Sequence, residues 1–197
     1  MGRQYGGIAS VVPESQLEST EHGLVPTGKG WFVLNAREAP WIDRKGRGAY
    51  CEFEGLDGAA DFSQLGINLT MLAPGEPMAI YHRENDQEDF LLLAGEALLI
   101  VEGNERPLRQ WDLAHCPAGT NHVIVGAGDA TCLVLAVGAR DRSTGPAWGA
   151  YTVAEAALRR SACVEQETTD PNVAYARFSP GKPTRYREGW LPRWALD

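Results

Sequence analysis

Two stretches of this chain carry side chains able to hold a metal ion. The first contains Pro74, Gly75, His82, Arg83, Glu84, Glu88 and Gly95, and the second contains Asp112, Pro117, Ala118, Gly119, Thr120, Asn121 and His122. Together His82, Glu84, Glu88 and His122 offer two imidazoles and two carboxylates, a donor set suited to a divalent transition metal. Residues two apart in an extended strand share a face, so His82 and Glu84 point together while Tyr81 and Arg83 point away. Asn85, Asp86 and Gln87 form a polar, turn-prone insert, after which Glu88 opens an apolar strand with Phe90 and Leu92 on its face. A carboxylate at the mouth of an apolar face needs a partner, and a cation supplies one. The turn from Pro117 to Asn121 can swing His122 toward the same point. Each piece also has a plainer reading, with His82 and Glu84 as a hydrogen-bonded pair and Glu88 as a solvated carboxylate. His115 suits a structural or supporting role better than ligation. His22 reads as a surface residue.

Four donors from three strands meet only if a sheet closes on itself, and the chain supplies the strands. Residues 31–34, 49–53, 67–72, 90–93, 97–101, 123–125 and 132–137 are rich in β-branched, aromatic or aliphatic types, with Gly, Pro, Asn and Asp between them. Gly103 and Asn104 read as a tight hairpin turn. Many short strands without helical patterns between them predict an all-β antiparallel sandwich or barrel. The segment 1–28, rich in Gly, Ser, Glu and Pro, reads as an N-terminal arm, and 29–140 as the barrel. Residues 141–197 form an extension with short helices that packs on the barrel or a partner. Within it, Thr152 to Glu155 reads as a capping box ahead of a short helix, and Asp170-Pro171 as cap and first turn of another. The tail from Ser179 to Asp197 looks too irregular for regular structure, with Trp190, Leu191 and Trp194 as its packing residues. Gly126 to Asp129 reads as a loop or hairpin.

The two stretches resemble the paired motifs of the cupin superfamily. Glu88 and Gly95 keep its six-residue gap, Glu84 and Glu88 its three-residue gap, and Pro117, Gly119 and His122 match its second motif in type and spacing. The resemblance covers about residues 67–137 and implies a double-stranded β-helix, or jelly-roll, barrel. Asp112 falls where the family has a turn acid, a structural role. The chain departs from the pattern in four places. Six residues rather than five separate Gly75 from His82, Glu84 replaces the second histidine, Trp111 replaces a glycine, and Gly126 replaces an asparagine. The resemblance implies three histidines and one glutamate as ligands, whereas His82, Glu84, Glu88 and His122 make two of each. Two carboxylates render a divalent site formally neutral, a weaker Lewis acid that tolerates a higher oxidation state. That favours Mn or Fe, with Zn or Ni also accommodated.

Composition bounds the function. A chain of 197 residues suits one core with extensions, and 44% hydrophobic residues exclude disorder throughout. With 26 acidic against 18 basic residues the net charge is -8, a surface that repels nucleic acid. The N-terminus lacks the apolar run of a signal peptide. The most apolar stretch, 90–101, is interrupted by Gly95 and Glu96 and is too short to span a bilayer. A cytoplasmic location is expected, without nucleic-acid or membrane partners. In a reducing compartment Cys51, Cys116, Cys132 and Cys163 read as core residues, with Cys116 alone adjoining the second motif. The Trp-bearing tail and the arm would suit a homodimer. The resemblance implies a metal-dependent enzyme, a dioxygenase, decarboxylase, isomerase or epimerase, acting on a small oxygen-rich molecule in the barrel. The alternative is a non-catalytic cupin that binds or senses a small ligand.

Overall fold

The computed structural model describes residues 11–55, 58, 60, 62–140 and 148–192. Most of the chain runs as short strands, because aliphatic side chains alternate with polar ones and turn residues interrupt every few positions. In chain order these are β1 (Leu17–Thr20), β2 (Gly23–Pro26), β3 (Trp41–Asp43), β4 (Ala49–Glu52), β5 (Leu65–Leu72), β6 (His82–Glu84), β7 (Glu88–Ala94), β8 (Glu96–Val101), β9 (Asn104–Arg109), β10 (Leu113–Cys116), β11 (His122–Ala127), β12 (Cys132–Ala139) and β13 (Gly149–Tyr151). Helices α1 (Glu155–Arg159) and α2 (Pro171–Ala174) and strand β14 (Lys182–Thr184) complete the order. No helix among the described residues is long and apolar enough to cross a membrane.

Two antiparallel sheets face each other. One has the order β10-β7-β12-β5-β4-β3-β14 and the other β13-β6-β11-β8-β9, while β1 and β2 pair only with each other. The non-sequential neighbours are those of a double-stranded β-helix, the all-β barrel that the motifs imply. Alternation within each strand decides what goes between the sheets. Phe90 and Leu92 of β7 point inward and meet Leu72, Leu99, Ile124 and Val134. Leu93 packs on the other face, joined by Ala94 because the β7–β12 register shifts there, and with them Trp41, Cys51, Met71, Leu133 and Leu191 form a second apolar layer. Each aliphatic or aromatic side chain fully buried in these layers stabilises the fold by about 1.5–3 kcal/mol.

The terminal segments cover the sheets' outer faces. Trp190 packs on Trp41 with ring centroids 5.0 Å apart, as the aromatic tail predicts for Trp190 and Leu191; Trp194 lies outside the described residues. Helix α1 brings Ala156 and Ala157 against Tyr81, Ile100, Val123 and Val125 on the other sheet. Asp170 caps α2 as its sequence predicts, accepting from the Asn172 N–H at 2.8 Å with Pro171 in the first turn.

Several local expectations are corrected. Residues 31–34 form no strand: Trp31 makes one isolated bridge to Glu14, and Leu34 packs against the Trp41 layer instead of entering a ladder. Thr152 does not cap α1, whose N-cap is Ala154 with no side-chain bond. The Thr152 hydroxyl instead donates to Asn121 Oδ1 at 2.7 Å, a tertiary bond that replaces the local one. The hairpin turn is centred on Glu102 and Gly103, at φ 47° and 73°, since Val101 pairs with Asn104. Positive φ at both central positions matches the twist of the flanking strands. Part of the arm forms the β1–β2 hairpin. Gly126 and Ala127 belong to β11, and the tail contributes β14, which pairs with β3.

Candidate metal centre

His82 and His122 are direct partners in the β6–β11 pairing, which sets their rings side by side with centroids 4.8 Å apart. Three local devices fix this register. The second motif ends in a tight turn, with Thr120 N–H donating to the Pro117 carbonyl at 3.1 Å. Gly119, at φ 85°, provides the left-handed position this turn requires. Its N–H donates to the Glu84 carbonyl at 2.7 Å, latching the turn onto β6. Behind the histidines, the Glu102 carboxylate accepts from Asn121 N–H at 2.7 Å, and Tyr81 Oη accepts from Gly103 N–H at 3.0 Å. The residue preceding each histidine is therefore tied to the same β8–β9 turn.

The imidazoles are oriented from their far sides. His82 Nδ1 lies 2.7 Å from the Ile80 carbonyl and His122 Nδ1 lies 2.9 Å from that of Thr120. A carbonyl only accepts, so each Nδ1 carries the hydrogen and each neutral ring turns an Nε2 lone pair inward. Glu88, arriving from the opposite sheet, meets them there. Its Oε2 is 3.0 Å from His122 Nε2 and 3.5 Å from His82 Nε2. Glu88 Oε2 and His122 Nε2 are shielded from solvent, and neither has a hydrogen-bond partner. Two buried acceptors left facing one another call for a shared cation. The ligand atoms of His82, Glu88 and His122 all lie within 4.8 Å of one another. Their chemistry, two imidazole nitrogens and one carboxylate oxygen, fits a divalent transition metal.

Ionisation follows from the same geometry. Burial would raise the Glu88 carboxyl, but the His122 and His82 imidazoles outweigh it and hold the group down to about 2. Burial would likewise lower His82, but Glu84 and Glu88 override it and push the imidazole up to about 10. Without a metal, a proton on His82 Nε2 therefore offsets part of the negative charge of Glu84 and Glu88.

The other candidates separate cleanly. Glu84 Oε1 is 3.6 Å from His82 Nε2 and shares the cavity, but it stands outside the three-residue cluster. His115 pairs with Asp89 at 2.6 Å on an exposed face. Asp112 accepts from the Arg109 N–H at 2.9 Å, a turn role. Cys116 is the register partner of Glu88, with its thiol pushed up to about 11 by burial and by Glu88. All four cysteines are free and buried. His22 lies 3.4 Å from Glu21 in the β1–β2 hairpin, outside the cavity.

The centre opens on a cavity of about 450 Å³ that also receives Arg44, Tyr50, Glu52, Trp148, Tyr151 and Tyr175, none of them identified by motif spacing. Trp148 and Tyr151 sit beside His82 with centroids 6.1 Å away, and Tyr175 Oη accepts from the Ile80 N–H at 3.4 Å. Arg44, Tyr50 and Glu52 precede the motifs and Trp148, Tyr151 and Tyr175 follow them.

Residues 68–138 match the family model of the cupin domain. No curated protein matches the chain. Among solved structures, the chain is similar to a protein of Acidithiobacillus ferrooxidans proposed to be a sugar phosphate isomerase, at 25% identity over 47% of this chain and 60% of that one, TM-score 0.41. It is similar to a Cupin 2 conserved barrel domain protein of Salinispora arenicola at 25% identity, over 40% of this chain and 65% of that one, TM-score 0.37. It is also similar to a predicted oxalate decarboxylase of Thermotoga maritima at 21% identity, over 55% and 99%, TM-score 0.47. The chain thus spans less than two thirds of the length of the first two.

Proposed function

We propose that this member of the cupin superfamily is a metal-dependent enzyme that acts on a small, oxygen-rich molecule in its barrel. His82, Glu88 and His122 would hold the ion, with Glu84 as fourth ligand. The observation that carries this reading is the pair of solvent-shielded, unpartnered atoms Glu88 Oε2 and His122 Nε2, aimed at one another beside His82. A bound divalent ion supplies Lewis-acid polarisation of a substrate oxygen or redox chemistry with O2, and the two carboxylates favour Mn or Fe over Zn or Ni.

The chain's own residues do the rest. The Ile80 and Thr120 carbonyls hold the imidazoles in the tautomer that presents Nε2. Trp148, Tyr151 and Tyr175 wall the cavity near His82 and limit water there. Glu52 faces the same cavity with its carboxyl raised, mainly by burial. It is the cavity acid suited to hold a proton for transfer.

The test is elemental analysis of the purified protein beside His82→Ala and Glu84→Ala variants. Near-stoichiometric Mn or Fe that falls in both variants supports the centre. A wild type that takes up none of Mn, Fe, Zn or Ni would overturn it and leave a ligand-binding barrel. Metal uptake without turnover of any oxygen-rich acid or sugar would favour the sensor reading over the enzyme.

A further inference from the structure

The cavity contains a second uncompensated group, of opposite sign. Arg44 follows β3, and its backbone N–H donates to the Gly48 carbonyl at 2.9 Å. Its guanidinium lies over the Tyr50 ring at 4.8 Å and lines the cavity that holds His82, Glu88 and His122. Nε and Nη2, the two donors along one edge, are shielded from water and have no hydrogen-bond partner. Arg47 stands close enough to oppose the Arg44 charge, lies over Tyr175 at 4.4 Å, and also has an unpartnered, shielded Nε. Two neighbouring half-buried arginines with shielded, unpartnered donors and no ion pair among the described residues are costly unless an anion joins them.

The acids lining the cavity are engaged elsewhere. Glu54 pairs with Arg140 at 2.5 Å, and Arg140 also donates to the Phe62 carbonyl at 2.9 Å. Glu88 faces the two imidazoles, Glu84 lies beside His82, and Glu52 accepts from the Glu54 N–H at 3.3 Å. Arg44 makes no ion pair among the described residues. In a chain of net charge -8, the neighbouring Arg44 and Arg47 are a local exception, and a guanidinium suits planar, two-oxygen anions.

We infer that Arg44 anchors an anionic group of the substrate, a carboxylate or a phosphate, so that the substrate is a small organic acid whose remaining oxygens face His82, Glu88 and His122. A cavity of about 450 Å³ has room for such a molecule and falls within the range of small-molecule sites. The part played by the metal rests on the proposed function; the anion subsite itself does not require it.

The experiment is isothermal titration calorimetry of malonate, succinate and inorganic phosphate into the whole protein, metal-stripped and then metal-loaded. It compares wild type with Arg44→Gln, Arg44→Lys and Arg109→Gln, the last removing an exposed charge at the end of β9. At least one probe binds the wild type, and the stronger of carboxylate and phosphate identifies the anion. Arg44→Gln weakens that binding by roughly tenfold to a hundredfold, Arg44→Lys by less, and Arg109→Gln leaves it unchanged. Loss in Arg44→Gln but retention in Arg44→Lys also shows that the fold is intact. Anion binding that depends on Arg44 in a protein unable to take metal would uphold the subsite and defeat the metalloenzyme reading. No probe binding to either form of the wild type, or Arg44→Gln within twofold of wild type, would overturn the inference whether or not metal binds.

Discussion

Glu88 and Asp89 are neighbours in β7, and each meets a histidine. The surface pair is the closer one, with Asp89 Oδ1 2.6 Å from His115 Nδ1 against 3.0 Å for Glu88 Oε2 and His122 Nε2. Solvent separates their meanings. The His115 side chain is 54% exposed and that of His122 3%. Water can satisfy whatever the outer pair leaves open, whereas the inner pair retains unpartnered atoms and has His82 within reach. Short contact alone does not mark a site; convergence of shielded lone pairs does. Arg44 and Arg140 repeat the lesson with opposite charge. Both line the cavity, but only Arg140 has a carboxylate and a carbonyl to satisfy it.

The largest expected contrast between the two histidine pairs is in metal affinity. His122→Ala should weaken binding of Mn or Fe by more than the roughly hundredfold that follows loss of an outer partner, while His115→Ala changes it by less than about twofold. Comparable losses in both variants, measured by metal titration, would end the distinction between the pairs.

An intermediate effect is expected in the acid and alkaline stability of the metal-free protein. His82 is raised from 6.5 to about 10, so its contribution is complete below pH 6.5 and disappears as pH rises through 10. Glu88 is lowered from 4.5 to about 2, so its contribution is present above pH 4.5 and disappears as pH falls through 2. The Tm should be highest between pH 4.5 and 6.5 and fall on both sides, as followed by circular dichroism. His82→Ala should flatten the alkaline limb, and an unaltered limb would show that the inner pair does not control it.

The smallest effect belongs to the outer pair. Asp89→Asn should cost less than about 1 kcal/mol in urea unfolding, since an exposed ion pair competes with water and salt. A larger loss would mean that the outer pair carries structural weight that its exposure does not suggest.

Much of the barrel was legible because it rests on alternation. Glu88, Phe90 and Leu92 do share an inward face, and the predicted strands around residues 49–53, 67–72, 97–101 and 132–137 appear as β4, β5, β8 and β12. What escaped is non-local. Thr152 has the sequence of a helix cap, but Asn121, brought close by the barrel, claims its hydroxyl. Lys182–Thr184 has no strand signature and pairs with β3 because that sheet edge is available. Arg44, Tyr50, Trp148, Tyr151 and Tyr175 reach the cavity from segments whose spacing to the motifs carries no information.

By itself, the sequence determined the all-β class, the inward face of β7 and the donor types, since these depend on side-chain chemistry and a strand period of two. Only the tertiary structure decided that His82 faces His122, that Glu84 lies beside His82, and that Arg44 shares their cavity. Those outcomes depend on which strands become neighbours when two sheets close, and closure is decided by the packing of the whole core rather than by any local run of residues.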